Sequence, residues 1–446
     1  MYFLYSVLVL AFFVVVSPWF LYQALRYKKY IASLGQRMGY LPLSFNMDAE
    51  HSIWIHAVSV GEVLTARPLA RALRARYPRL RVFVSTTTLA GQQLARRVQD
   101  VDAVFYFPFD LNIFVRRTLN LVKPRLFVMM ETEIWPNLLR ECRRRSVKTA
   151  IVNGRLSQRS YPRYRLVRPF MRRVLSDIDR FCVQSEESAR RFVDLGAIAA
   201  RVTVTGSLKF DSLDMGSNIQ ARARERVLRH FRLSPSRTVF VAGSTMKGEE
   251  AAVLRAFRRL KSASPNALLV LAPRHPERFA DVARMSREEG LKTTLRSELA
   301  IDAEPRADVV ILDTIGELAT VYQIATVVFV GGSLVATGGH NILEPAVFSK
   351  PIVFGPHMEN FAEIAAAFVA NSAAIQVRTE RELDDAFRNL MTDPVRRARL
   401  GAAARALVEA NRGAKEKSLE AIAELLPQQD STTAYPTNVR PFRPIA

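Results

Sequence analysis

Cysteine is almost missing from this 446-residue sequence: Cys142 and Cys182 are the only two. Each sits at the edge of an apolar segment, which argues against a disulfide framework or a cysteine metal site and leaves free buried thiols in a reducing compartment as the expectation. Histidine is scarce as well, with six in the chain. Four of them, His56, His275, His340 and His357, close strand-like runs, but no two lie within five residues, so the spacing of a zinc site is absent. The glycine pairs Gly331-Gly332 and Gly338-Gly339 fit neither the dinucleotide fingerprint nor a Walker loop, which disfavours dinucleotide cofactors and P-loop chemistry. No run interleaves aromatic and basic residues as RNA-binding modules do. A non-catalytic nucleic-acid binder is therefore a poor reading, and no nucleic-acid partner is expected. There is also no short-period repeat.

Charge is absent from residues 1–25, and Tyr2 to Leu21 is long enough to cross a hydrocarbon core of about 30 Å. No basic segment precedes this run and no small-residue cleavage site follows it, which disfavours a removable signal peptide. The expectation is a single-pass N-terminal transmembrane anchor over 1–25 and a basic juxtamembrane segment over 26–50 (Arg26, Lys28, Lys29, Arg37), with everything after it on the cytoplasmic side of the membrane. An interfacial hairpin broken at Pro18 is the rival.

What is present in excess is positive charge, 64 basic against 42 acidic residues for a net +22. Such a balance points to an acidic partner: nucleic acid, an anionic membrane leaflet or a phosphorylated substrate. With 49% hydrophobic residues, the chain can bury the two cores that its length suggests. From Ser52 to about Asp211, apolar β-rich runs alternate with amphipathic segments, and a second such series follows a polar stretch. The reading is α/β, two facing Rossmann-like domains with a cleft between them. The first covers 51–211, a linker and opening helix 212–236, the second domain with its closing helices 237–426, and a disordered tail 427–446. Most strands are apolar at consecutive positions, as in sheets covered on both faces.

The stretch that organises the first half is His56-Ala-Val-Ser-Val-Gly-Glu62, a strand running through a small-residue turn into a helix. Glu62 should stand at the helix start on the carboxyl edge of the sheet, where open α/β sheets bind ligands. It is either a general base or a carboxylate favoured by the helix dipole. Glu131 and Glu133, in MMETEIWPN, end another strand, and their alternate spacing should aim both to one side. Arg155 follows the next strand in NGRLS, a candidate for an anionic group. In the second half Ala242–Thr245, Pro273-Arg274-His275-Pro276, Gly331–Ser333 and Gly338-Gly339-His340-Asn341-Ile342-Leu343-Glu344-Pro345 all follow strands and should gather on one edge. Glycine pairs there would let amides approach a phosphate, and Glu344 could accept both hydroxyls of a ribose.

Taken in order, HAVSVGE (56–62), PFDL (108–111), ETEIWPN (131–137), NGRLSQRS (153–160), VTGSLKFD (204–211), PRHPERF (273–279), GGSL (331–334), GGHNILEP (338–345) and GPH (355–357) resemble the 3-deoxy-D-manno-octulosonic acid (Kdo) transferases. These are inner-membrane enzymes that add Kdo to the lipid A precursor. The resemblance implies a GT-B glycosyltransferase fold, with the acceptor on the N-terminal domain and CMP-Kdo on the C-terminal one. It implies Glu62 as the general base on the acceptor's 6'-hydroxyl and inversion at the anomeric carbon. Arg274 and His275 would meet the CMP phosphate or the Kdo carboxylate, Gly338, Gly339, His340 and Asn341 the phosphate side, and Glu344 the ribose. Glu131 or Glu133 would bind sugar hydroxyls, with Arg155 and Lys209 as weaker candidates. No metal and no cofactor is implied. The basic face, including 159–173 and 140–145, would turn toward the anionic leaflet. Two positions depart from the family pattern: Met246 stands where it has histidine, and Ile342 where it has proline. A nucleotide-sugar transferase or epimerase using a UDP sugar is the alternative enzyme.

Overall fold

A computed structural model describes residues 1–27, 31–46, 48–158, 160–211, 224–234 and 237–426. The expected tail 427–446, most of the expected linker 212–236, and Lys28 and Lys29 of the basic segment lie outside the described residues. The chain divides into two compact units, one formed by Met1–Ser212 with Arg412–Ala446, the other by Leu213–Asn411.

Among the described residues each unit holds one sheet of seven strands, all parallel. In the first, β1 (Ser52–His56), β2 (Arg81–Thr86), β3 (Ala103–Tyr106), β4 (Pro124–Met130), β5 (Lys148–Gly154), β6 (Arg180–Val183) and β7 (Val202–Val204) take the order β3-β2-β1-β4-β5-β6-β7. The direction of winding reverses between β1 and β4, so the loops after these two strands diverge and leave a crevice at their carboxyl ends. β1 packs both its faces. Ile53 and Ile55 join Val63, Leu69 and Leu73 of the helix Val60–Arg76, while Trp54 joins Phe83, Phe105 and Phe127 on the other side. This is why the strand reads as an unbroken apolar run rather than an alternating one.

The second unit repeats the plan. It contains β8 (Val239–Thr245), β9 (Leu268–Pro273), β10 (Thr293–Leu295), β11 (Val309–Ile311), β12 (Val327–Val330), β13 (Ile352–Phe354) and β14 (Ile375–Gln376). Their order is β10-β11-β9-β8-β12-β13-β14, which sets the switch point between β8 and β12.

Two expectations are corrected here. The first concerns the closing helices, which are Glu380–Thr392, Pro394–Ala410 and Ala414–Ala423, separated at Pro394 and at Gly413, whose φ is +95°. The last of them belongs to the first unit rather than to the second domain. Its Ala414, Ala421 and Ile422 enter the core beside β1 and β4, and Asp211 accepts hydrogen bonds from the amides of Gly413 (2.9 Å) and Lys415 (2.7 Å) at its start. The second correction concerns the N-terminus. Among the described residues no helix is long and apolar enough to cross a membrane, so the transmembrane anchor over 1–25 has no support. Nor is there a hairpin at Pro18, which lies inside one helix, Tyr2–Tyr27. The first turn of that helix is polar on the side facing the domain. Tyr2 donates to Asp177 (2.7 Å) and Tyr5 to Asp110 (3.0 Å), while Arg140 lies over the Tyr2 ring.

Candidate functional site

In the first unit, Glu62 stands where the sequence put it, in the first turn of the helix that follows β1. Its carboxylate folds back over the turn, accepting from the amide of Val58 (2.8 Å) and the hydroxyl of Ser59 (3.3 Å). The side chain therefore closes the turn that leads into its helix, in an environment that opposes its charge. Burial pushes its pKa up to about 7, and Glu131 and Glu133 add to the rise, against the lowering effect of the Val58 and Ser59 bonds. A carboxyl group balanced near neutrality is suited to taking a proton.

Glu131 and Glu133 come from the loop after β4, across the switch point from Glu62. The strand ends at Met130, and Glu131 adopts φ +56°. A left-handed residue at that position turns the chain out of the extended register, so the alternation rule no longer applies and the two carboxylates take different neighbours. Glu131 lies 3.4 Å from Arg155 and 3.9 Å from Lys209. Glu133 accepts from the indole of Trp135 (3.0 Å) and lies 3.6 Å from Nε2 of His56. His56 is fully buried, stacks on Phe107 with ring centroids 3.8 Å apart, and holds Nδ1 within 3.0 Å of the Ser85 hydroxyl. Five of the expected residues, Glu62, Glu131, Glu133, Arg155 and Lys209, thus form one polar group with His56 behind it.

Because Glu131 raises the Glu62 pKa, the substitution Glu131→Gln should lower it, and loss of the counter-charge on Arg155 and Lys209 acts in the same direction. The titration midpoint of the Glu62 carboxyl, followed by NMR, is expected to move to lower pH in this variant. A midpoint that stays in place or moves up would show that the two carboxylates do not interact.

Two buried residues support this site without having been singled out from the sequence. Asp110 of the PFDL segment accepts from the amides of Asn137 (3.0 Å) and Leu138 (2.8 Å), so it caps the helix Pro136–Arg144 that follows Trp135. Burial raises its pKa to about 6. Asn153, at φ +59° near the end of β5, accepts from the amide of Leu208 (3.0 Å) and so draws the GSLK stretch toward Arg155. Their one sequence signal was a short polar side chain at the end of an apolar run.

In the second unit the segments after β8, β9 and β12 and the GGHNILEP stretch gather on one sheet edge, as expected. Arg274 and His275 follow β9, and both are exposed. The imidazole of His340 is pulled down to a pKa of about 4, by burial first and then by Arg274 and His275; at pH 7 it is neutral. Its Nε2 is buried without a hydrogen-bond partner. Asn341 donates to Glu344 (3.1 Å) and accepts from the amide of Leu343 (3.1 Å), which fixes the first turn of the helix Leu343–Val347. Burial raises the Glu344 pKa, while Asn341 and Arg274 lower it. Gly338 and Gly339 have φ +91° and +71°. A Cβ on Gly338 would meet the Asn360 side chain, which would have to move, and would strain the backbone as well. Among the described residues no group of three or more His, Cys, Asp or Glu side chains is placed to hold a metal ion.

Comparison with known proteins gives a consistent picture. Residues 32–212 match the family described as 3-deoxy-D-manno-octulosonic-acid transferase (kdotransferase), and residues 242–407 match glycosyl transferases group 1. A 3-deoxy-D-manno-octulosonic acid transferase of Haemophilus influenzae is 35% identical over 88% of this chain and 91% of its own length. A protein of the same description from Bordetella pertussis is 34% identical over 84% of this chain and 87% of its own. A glycosyltransferase from Rickettsia africae has a likeness of fold alone, with TM-score 0.56 and 10% identity, covering 85% of this chain and 100% of that one.

Proposed function

The chain belongs to the 3-deoxy-D-manno-octulosonic acid transferase family, and from that premise we propose that it carries Kdo from CMP-Kdo to the 6'-hydroxyl of the lipid A precursor. It is a glycosyltransferase of lipopolysaccharide biosynthesis; the donor, the acceptor position, inversion and independence from metal are our reading. The observation that carries it is Glu62, a carboxyl group with its pKa raised to about 7 at the carboxyl end of β1, beside two further carboxylates.

In this reading Glu62 takes the hydroxyl proton as the acceptor oxygen attacks the anomeric carbon of Kdo. CMP leaves from the opposite face, so one base suffices and no covalent glycosyl intermediate is needed. Glu131 and Glu133 hold sugar hydroxyls, and Arg155 and Lys209 orient Glu131. On the donor side Arg274 supplies positive charge to the phosphate or the Kdo carboxylate, for which its fork is suited. The neutral His340 contributes a hydrogen bond rather than a charge, and Glu344 holds the ribose. We further propose that the protein works at the cytoplasmic face of the inner membrane. Phe3, Leu8 and Val15 of the first helix are exposed apolar side chains, and they support a seat on the lipid surface alongside the net positive charge.

The deciding assay offers the purified protein CMP-Kdo, or a UDP sugar, with the lipid A precursor and follows product by mass spectrometry. Kdo transfer from CMP-Kdo alone is expected. Turnover of a UDP sugar with none of CMP-Kdo would overturn the donor assignment.

A further inference from the structure

Glu249 lies in the segment 243–250, GSTMKGEE, which ends β8 and runs on past it, and its side chain is wholly buried. One oxygen accepts from the amides of Gly332 (2.6 Å) and Met246 (2.9 Å), the other from those of Ser333 (2.8 Å) and Leu334 (2.7 Å). A carboxylate has about four acceptor positions, and here four backbone amides fill them. The residues it grips lie at the ends of β8 and β12, the two strands that flank the switch point of the second sheet.

The glycine pair at 331–332 takes on a different role in consequence. Its amides read as a cradle for a ligand phosphate, yet those of Gly332, Ser333 and Leu334 are already occupied by an anion that the protein supplies itself. The gripped residues then carry the neighbouring segments. The Gly332 carbonyl accepts from the amide of Gly339 (2.8 Å) and the hydroxyl of Thr337 (2.9 Å), and the Ser333 carbonyl accepts from the amide of His357 (2.9 Å). The Ser333 hydroxyl accepts from the amide of Gly355 (2.8 Å). The His340 ring lies so close to Gly332, at φ +67°, that a Cβ there would be 2.8 Å from it. The adjacent Glu250 faces the other way and pairs with Arg278 of the PRHPERF segment at 3.2 Å.

We infer that Glu249 is the positioning residue of the donor site, an internal anion that fixes the 331–334 loop and through it the Gly338–Asn341 and Gly355–His357 segments. The anionic part of the donor is then left to the Gly338–Asn341 turn and Arg274. This rests on the reading of the second unit as the site of a cytidine nucleotide sugar. Glu249 touches no reacting atom; it acts through the backbone it holds.

Glu249→Gln in the full chain is the test. The amide keeps the size of the side chain but replaces one oxygen, which accepts from two amides, by an NH2 group set against those same N–H groups, so two of the four bonds are lost. With CMP alone as probe, calorimetry is expected to show binding weakened by about tenfold to a hundredfold, while hydrogen exchange of the amides at 332–334 speeds up. With CMP-Kdo, KM should rise more than kcat falls, and the acidic limb of the pH–rate profile, set by Glu62, should stay where it is. Glu249→Asp, which keeps the charge on a shorter arm, should fall between wild type and the glutamine variant. Unchanged CMP affinity together with wild-type exchange at 332–334 in Glu249→Gln overturns the positioning role. Absence of CMP binding by the wild-type protein overturns the donor reading instead, and exchange at 332–334 then decides the role of Glu249 by itself.

Discussion

Replacing Glu62 by glutamine is expected to slow Kdo transfer by about two to four orders of magnitude and, at neutral pH, to make the fold more stable. The first effect follows from loss of the only carboxylate at the start of the helix after β1. The second follows from linkage. The Glu62 pKa is about 7 in the folded protein against an ordinary value of 4.5, so between these values the folded state binds more protons than the unfolded state. Stability of the wild type must therefore fall as pH rises from about 4.5 to about 7, and level off above that. A pKa displaced by one corresponds to about 1.4 kcal/mol, which bounds the Glu62 contribution at about 3 kcal/mol. In Glu62→Gln that slope disappears, and the gain over wild type should grow across the same window. Chemical denaturation at pH 5 and pH 7.5, run beside the transfer assay, reads both effects. A variant that keeps near wild-type turnover would remove Glu62 from the role of base. One that lost activity and was also less stable at pH 7.5 would show a side chain needed for the fold.

Trp54→Ala should be the most damaging single truncation in the first unit, by about 3–5 kcal/mol. The indole is fully buried in β1, with ring centroids of Phe127, Phe105 and Phe107 at 4.6, 5.4 and 5.9 Å. Its Nε1 also donates to the Ser85 hydroxyl (2.8 Å), which lies 3.0 Å from Nδ1 of His56. Truncation opens a cavity in a close-packed core and frees the group that orients the imidazole behind Glu133. Trp54→Phe fills most of the cavity but cannot make the bond. It should cost less stability, yet still reduce turnover through His56. Equilibrium denaturation and the transfer assay on both variants separate the two contributions. Equal losses in stability for Phe and Ala would mean that the hydrogen bond, not the volume, holds this region.

The N-terminal helix shows a different relation between pattern and structure. Composition alone made Tyr2–Leu21 a membrane span, because hydropathy counts side chains without regard to what they face. The tyrosines at positions 2 and 5 are what the count overlooks: they donate to Asp177 and Asp110 on the body of the first unit. Asp110 in turn caps the helix after Trp135. The start of the chain is thus bonded to the segment that carries Glu133, through residues whose partners lie more than a hundred positions away. No local pattern could show that.

Local chemistry settled a good deal without help from the fold. The consecutive apolar runs declared a parallel sheet covered on both faces, and the strand–turn–helix signature of His56–Glu62 placed Glu62 at a helix start, where it is found. Such features depend on residues a few positions apart, so the sequence determines them directly. Tertiary structure alone decided the rest. The strand order sets β4 beside β1 and β12 beside β8, and so brings Glu131 and Glu133 to Glu62, and the 331–334 loop to Glu249. Tertiary packing also returned the helix Ala414–Ala423 to the first unit, although in sequence it follows the helices of the second. The raised pKa of Glu62 is likewise a product of assembly, since burial and two carboxylates from the loop after β4 cause it. The four amides on Glu249 come from two loops more than eighty residues apart. Pairings at that separation are fixed by how strands order themselves in a sheet, and a carboxylate gives no sign in the sequence of which backbone it will hold.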